Sequence, residues 1–247
     1  MLNIENLEKF TKQAQTSLEN VVREYCQHLF LSYLYRQSEA EKLLFNGGTA
    51  LRIVLGSPRF SEDLDFTGSH ISQHIVEELF TNTLADIEKT GMSVELIEGK
   101  KTSGGYLGIA VFYPYDRKIH VQIEVSLRNG KGGTGVVAVI QSDYAPTYSL
   151  IHLPVDAIIK GKMEALRARH KPRDFYDYFF LLSGNYPSVR DKKYLTDTLK
   201  LLTETKIDFR AELRRFLPAS QALHLRNFKK ILEQRIISFL WNPRTRD

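Results

Sequence analysis

Ten residues, Lys118 to Leu127, constrain the fold of this chain more tightly than any other stretch. Ile119, Val121, Ile123, Val125 and Leu127 alternate with Lys118, His120, Gln122, Glu124 and Ser126. In an extended chain successive side chains point to opposite faces, so strict alternation marks a half-buried strand. Two more strand-like runs precede it, Ser93 to Glu98 and Tyr106 to Tyr113, and a short one follows from Val136 to Gln141. The apolar face needs cover, and the N-terminal half supplies helices for it. Residues 5–36 carry Leu18, Val21, Val22, Tyr25, Leu29, Phe30 and Tyr33 at helical spacing. Residues 71–90 form an amphipathic helix through Ile75, Val76, Leu79, Phe80, Leu84 and Ile87. From Asp156, a plausible helix N-cap, the pattern turns helical and stays so. The expected fold is therefore α/β (α+β). Residues 1–150 make a lobe with a small mixed sheet and an N-terminal helix, and residues 151–247 make an all-helical lobe closing a cleft.

The chemistry concentrates in one stretch. Leu43-Leu44-Phe45-Asn46 leads into Gly47-Gly48-Thr49, and a short helix from Thr49 to Leu55 ends at Gly56-Ser57-Pro58. Arg59-Phe60-Ser61-Glu62-Asp63-Leu64-Asp65-Phe66 follows as turn into strand. Glycine lets a backbone approach a ligand with no Cβ in the way. A Gly-Gly-Thr turn opening a helix offers backbone N–H groups and the positive end of the helix dipole to an anion. If Asp63-Leu64-Asp65 is extended, both carboxylates share one face, as hard oxygen ligands suited to Mg²⁺. Alone, the glycines are an ordinary tight turn and the aspartates two solvated loop carboxylates. Together, with Arg59 and Ser61 between them, they describe a phosphate cradle beside a metal pair. Glu124 shares a face with His120 and Gln122. It is either a solvent-facing carboxylate on an ordinary sheet or a third metal ligand.

A second block lies in the helical half. A helix ending near Arg169 carries Lys160, Lys162, Glu164, Arg167 and Arg169, and His170-Lys171-Pro172-Arg173-Asp174-Phe175-Tyr176-Asp177 follows. Asp174 and Asp177 fall on the first turns of the next helix, where the dipole favours negative charge. The plain reading has Asp174 capping, Arg173 pairing with it and the basic face solvated. Residues 188–241 read as two or three helices, with apolar faces through Leu195, Leu199 and Leu202, then Phe228, Ile231, Leu232, Ile236, Phe239 and Leu240. Arg210, Arg214, Arg215, Arg226, Lys229, Lys230 and Arg235 decorate their exterior, as a solvated face or as a surface for a nucleic-acid backbone.

The rest excludes classes of function. One cysteine, Cys26, allows no intramolecular disulfide and no cysteine metal cluster, and its apolar neighbours make it a core residue. No apolar run reaches the ~20 residues of a membrane span, and the polar N-terminus has no signal-peptide core. The expectation is a cytoplasmic protein without a membrane partner. The net charge of +5 is compatible with nucleic acid, nucleotides or an acidic protein. His70 and His74 lack a zincin pattern and read as surface histidines. Arg128 to Gly135, rich in Gly and Lys, lacks the P-loop spacing and reads as a mobile hairpin connection, and Asn242 to Asp247 as a frayed polar tail.

The run Gly47-Gly48-Thr49-Ala50-Leu51-Arg52, Gly56, Arg59-Phe60-Ser61-Glu62-Asp63-Leu64-Asp65-Phe66 resembles the first motif of the AbiEii/AbiGii toxin family. These are nucleotidyltransferase-like proteins of the DNA polymerase beta-like superfamily. Lys162-x-Glu164-Ala165-Leu166, with Arg169, Lys171 and Arg173-Asp174-x-x-Asp177, resembles the family's second block, and the likeness runs from about Leu43 to Leu182. The resemblance implies transfer of NMP from an NTP to an acceptor hydroxyl, with RNA, especially a tRNA end, as acceptor and a cognate antitoxin as partner. It implies Asp63, Asp65, Lys162 and Asp177 as catalytic, and Asp63, Asp65 and Glu124 as ligands for Mg²⁺ (or Mn²⁺). It places Gly47, Gly48, Thr49, Arg52, Ser61, Arg173 and Asp174 on the nucleotide. Family sequences carry Lys two residues before the third carboxylate, where this chain has Gln122. Two alternatives stand beside this reading. One is a catalytically silent protein of the same fold that binds nucleic acid or an antitoxin. The other is a haloacid-dehalogenase-like phosphatase, because Asp63-Leu64-Asp65-Phe66-Thr67 has the Asp-x-Asp-x-Thr form, although Arg59 to Glu62 is not the apolar strand that motif follows.

Overall fold

A computed structural model describes residues 1–127 and 133–241. The first five residues of the expected Gly- and Lys-rich connection, 128–132, and the expected frayed tail, 242–247, lie outside the described residues. The chain divides into two compact units, Met1–Pro154 and Val155–Asp247.

The first unit is built on a seven-stranded mixed sheet. Its strands are β1 (Leu43–Asn46), β2 (Leu64–Gly68), β3 (Ser93–Thr102), β4 (Gly105–Tyr113), β5 (Ile119–Ser126), β6 (Val136–Ile140) and β7 (Tyr148–His152). The spatial order is β3-β4-β5-β2-β1-β7-β6. β2 runs parallel to β5 and β1 parallel to β7, and the other pairs are antiparallel. The alternating stretch became β5, with Ile119, Val121, Ile123 and Val125 buried and His120, Glu124 and Ser126 exposed. Helices α1 (Ile4–Ala14), α2 (Leu18–Leu34), α3 (Gly47–Ile53) and α4 (Gln73–Glu88) complete the unit. α2 packs on β5 and β7, and α4 on β3 and β4. Between helices and sheet lies an aromatic chain in which Phe80 meets Phe30, Phe66 and Tyr106, and Phe66 meets Phe45. Each such side chain, fully buried, contributes about 2 kcal/mol of hydrophobic driving force. Cys26 lies in this layer with no exposed surface, and burial pushes its thiol pKa far up.

Two elements differ from expectation. The helix expected over 5–36 is two helices. Gln15 takes a left-handed conformation (φ 51°), and Ser17 opens α2 by accepting the Asn20 N–H at 3.3 Å. A left-handed C-cap closed by the Gln15 backbone N–H and a side-chain N-cap from Ser17 therefore break the helical pattern in two. β7 carried no strand expectation. It is recruited by β1: the Tyr35 hydroxyl lies 2.6 Å from the Leu43 carbonyl and 2.8 Å from the Ile151 carbonyl, sharing its one proton across the two strands.

The second unit is helical throughout: α5 (Val155–Arg169), α6 (Pro172–Ser183), α7 (Lys192–Glu204), α8 (Phe209–Leu213), α9 (Ala219–Ala222) and α10 (Phe228–Leu240). Where two or three helices were expected beyond residue 188, four form. Asp191 and Asp208 cap α7 and α8 with their carboxylates, and Pro218 precedes α9. The core joins Phe175 to Phe209 and gathers Tyr176, Phe179 and Phe209 around Phe228.

Candidate active site

Sheet register builds the centre of the first unit. Asn46 at the end of β1 pairs with Asp65 on β2, and Asp65 pairs with Glu124 on β5. Register partners share a face, so Asn46, Asp65 and Glu124 form a row across three adjacent strands. Leu64, Phe66, Ile123 and Val125 fill the opposite face and are buried. The common face of Asp65 and Glu124 follows from pleat and register together.

The glycine turn abuts this row. Gly47 has φ +80°, and a Cβ there would come within 1.9 Å of an Asp65 carboxylate oxygen. The carboxylate therefore rests directly against the Gly47 backbone, in space only glycine leaves open. A Cβ on Gly48 would meet Ser61 Oγ at 2.7 Å and Arg59 Nη2 at 2.8 Å. The paired glycines are the point where Asp65, Ser61 and Arg59 converge. Arg59, read within the motif but not assigned a contact, is buried, with Nη1 donating to the Phe60 carbonyl at 3.0 Å.

Other expected site residues serve as supports. The buried Thr49 hydroxyl donates to the Asp63 carbonyl, which ties the start of α3 to the approach of β2. Gln27 on α2 donates its amide to the Ser61 carbonyl at 3.0 Å. α3 begins without a side-chain cap, because the Asn46 amide donates instead to Thr67 Oγ1 at 3.0 Å and to the Leu44 carbonyl at 3.3 Å. Glu124 accepts from the Gln122 amide at 2.6 Å, at the position where the resemblance expects lysine. Arg52, expected on the nucleotide, is committed elsewhere. Nε and Nη2 bond Glu24, Nη1 bonds the carbonyls of Ser57 and Pro58, and the guanidinium lies 3.8 Å from the Phe60 ring centroid. Its donors are engaged within the fold.

Asp63 precedes β2 and is half-buried. Among the described residues no group of three or more His, Cys, Asp or Glu is arranged to hold a metal ion. What the register assembles is the pair Asp65 and Glu124. Residues 57–63 form no strand, so the apolar strand a phosphatase Asp-x-Asp-x-Thr motif follows is missing.

In the second unit, Lys162 on α5 and Asp177 on α6 form an ion pair at 2.9 Å, with Lys162 12% and Asp177 1% exposed. Such a pair is strongly destabilised if one partner is removed, because a buried charge is left behind. Asp174 is buried, accepting from Arg169 at 2.6 Å and from the Lys171 N–H at 3.2 Å, and so caps α6. Arg173 pairs with Glu212 at 2.8 Å rather than with Asp174.

The comparisons extend this geometry. A family model described as "Nucleotidyl transferase AbiEii toxin, Type IV TA system" matches residues 29–242. Among solved structures, MenT4, a nucleotidyltransferase toxin from Mycobacterium tuberculosis H37Rv, superposes with a TM-score of 0.66 at 16% identity, over 99% of this chain and 92% of its own. JHP933 from Helicobacter pylori superposes with a TM-score of 0.57 at 20% identity, over 90% and 95%. At these identities the likeness speaks for the fold. A search of the curated proteins finds no match.

Proposed function

The chain belongs to the AbiEii family of nucleotidyl transferase toxins, and from that premise we propose that this nucleotidyltransferase moves NMP from an NTP to a hydroxyl of RNA, a tRNA end, in a reaction dependent on Mg²⁺ (or Mn²⁺). The observation that carries the reading is the Asp65 carboxylate, resting on Gly47 and in register with Glu124.

The donor set fits a divalent cation. Asp65 and Glu124 are hard oxygen ligands on neighbouring strands, and Mg²⁺ characteristically takes one or two carboxylates plus substrate phosphates. Asp65 and Glu124 would hold the ion, with Asp63 two residues before Asp65 as a further oxygen donor. When bound, the ion supplies charge neutralisation on the transferring phosphate. The remaining work belongs to the chain. The backbone N–H groups of Gly47, Gly48 and Thr49 and the Ser61 hydroxyl cradle the triphosphate at the uncapped start of α3. Arg59 beside them neutralises the leaving pyrophosphate. The acceptor oxygen forms a new bond to the α-phosphorus, and the bond from that phosphorus to the bridging oxygen breaks. Pyrophosphate leaves with the electron pair, and the hydroxyl proton passes to a carboxylate of the Asp65–Glu124 pair. Lys162, held by Asp177, is a further catalytic group on the strength of the family's second block. Arg173 and Asp174 support it by fixing the first turn of α6.

As a toxin of this family, the protein has an antitoxin as its cognate partner in this reading, and its site of action is the cytoplasm. No helix among the described residues is long and apolar enough to cross a membrane. The test incubates the protein with Mg²⁺, each radiolabelled NTP in turn and total bacterial RNA, beside Asp65→Asn. Label should pass to RNA with the wild type and fall at least about 100-fold with the variant, the scale of losing one electrostatic contact to the transition state. Equal labelling by both proteins, or none by the wild type with any NTP, would refute the reading.

A further inference from the structure

The polar row beside Gly47 continues past the carboxylates. The next residues on the same face of β2 and β5 are Thr67 and Ser126, themselves in register. With Asn46, and with Thr102 and Gly104 at the turn between β3 and β4, they line a groove of about 400 Å³ that also touches Asp65 and Glu124. β1 and β2 run antiparallel, with Asn46 beside Asp65 and Leu44 beside Thr67. The step from Asp65 to Thr67 therefore leads back along β1, away from Gly47, Gly48 and Arg59. The carboxylate pair separates two compartments.

Their chemistry differs. The glycine side has a buried guanidinium and the backbone donors of a helix start, which suit a polyphosphate. Among the described residues lining the groove none is a cation, and the charged ones are the two carboxylates. The described part of the groove thus offers phosphate no cationic partner of its own, whereas a neutral group rich in hydroxyls is matched by its hydroxyls and carboxylates. Thr67 Oγ1 accepts from the Asn46 amide at 3.0 Å. A hydroxyl that accepts one bond still carries its own proton to donate, so the bond sets Thr67 as a donor toward the groove.

In-line phosphoryl transfer needs attacking and leaving oxygens on opposite sides of phosphorus. With pyrophosphate on the glycine side, the attacking hydroxyl enters from the groove. Resting on the nucleotidyl-transfer reading, we propose that this groove is the acceptor subsite and that it takes the terminal ribonucleoside of the acceptor. Thr67 and Ser126 bond the neutral sugar and present its hydroxyl to the α-phosphorus, which gains that oxygen as the bond to pyrophosphate breaks, with the hydroxyl proton passing to the carboxylate pair.

The experiment separates donor from acceptor. Label transfer is measured at varied total bacterial RNA with NTP saturating, for wild type, Thr67→Val and Ser126→Ala, and Mg²⁺-NTP binding is titrated without RNA. Ser126 is exposed, so its alanine variant tests the groove even if Thr67→Val folds poorly. Each variant should raise the KM for RNA about fivefold, the scale of one lost hydrogen bond, with NTP affinity unchanged. If the variants weaken NTP binding by the same factor, the groove holds the donor nucleoside and the proposal is overturned. Unchanged RNA KM in both variants overturns it as well, leaving nucleotidyl transfer intact. A wild type that binds NTP yet labels no RNA removes the transfer reading first, and the acceptor subsite with it.

Discussion

Glu24 shows how much one side chain can organise. It is 6% exposed and accepts from Arg52 on α3 and, at 3.0 Å, from the Tyr144 hydroxyl. One turn on along α2, His28 bonds the Tyr148 hydroxyl at 2.9 Å and lies 5.3 Å from the Tyr144 ring. The Arg52–Glu24 pair was not legible in the sequence, because the two residues lie 28 positions apart on different helices. His28 carries the pH consequence. Burial holds its pKa at about 4, below the ordinary 6.5, with Glu24 opposing the shift and Arg52 adding to it. The folded chain thus keeps the ring neutral where the unfolded chain protonates it. Stability is full above pH 6.5 and falls as pH drops toward 4, by on the order of 3 kcal/mol, with no further loss from this ring below that. Urea midpoints between pH 7 and 4 check it. His28→Gln, which keeps a hydrogen-bonding group at the site, should lose less stability over that window than the wild type. Parallel curves would show that the acid sensitivity resides elsewhere.

Among elements, the β1–α3 turn makes the sharpest demand on sequence. Gly47 and Gly56 both take positive φ, +80° and +75°, but only Gly47 faces a carboxylate, and a Cβ on Gly56 would meet nothing within 4 Å. Gly56→Ala should therefore cost about 1 kcal/mol of backbone strain and leave activity in place. Gly47→Ala must displace Asp65, and transfer should fall at least about 100-fold with the fold retained by circular dichroism. Equal effects on activity from the two variants would mean that the close approach to Asp65 is immaterial. Such contrasts also mark what was legible. β5 could be read because a period of two survives any context, and the Gly-Gly and Asp-x-Asp pair because each needs its residue type at its own spacing. β7 could not be read: its five residues become a strand only beside β1, with Tyr35 donating to a carbonyl 116 positions away. The break between α1 and α2 turns on Thr16 and Ser17, a cap signal only two residues long between two helical patterns. Within the site, the pairing of Asp65 with Glu124 depends on a parallel register that neither strand specifies alone.

At the scale of the whole molecule, charge is segregated along the chain. Residues 155–247 hold 20 Lys and Arg against 11 Asp and Glu, and residues 1–154 hold 14 against 18. The second unit is thus +9 and the first −4. Arg214, Arg215 and Arg226 are exposed on the basic unit. A polyanionic acceptor is drawn by such a surface through counterion release, whereas a mononucleotide engages few of its charges. On the RNA-acceptor reading proposed above, the KM for RNA should rise by on the order of tenfold between 50 and 200 mM salt, with NTP affinity changing much less. Reversing Arg214, Arg215 and Arg226 to Glu should flatten that dependence, and an unaltered slope would show that these three arginines do not carry it. The acidic unit, in turn, contains the chain's one thiol. Cys26 is sealed between α2 and the sheet, with its proton held tightly by burial. A reagent in bulk water meets that sulfur only when the helical layer lifts. Cys26 is therefore a clock built into the fold, and the pace of its alkylation counts how often the first unit opens.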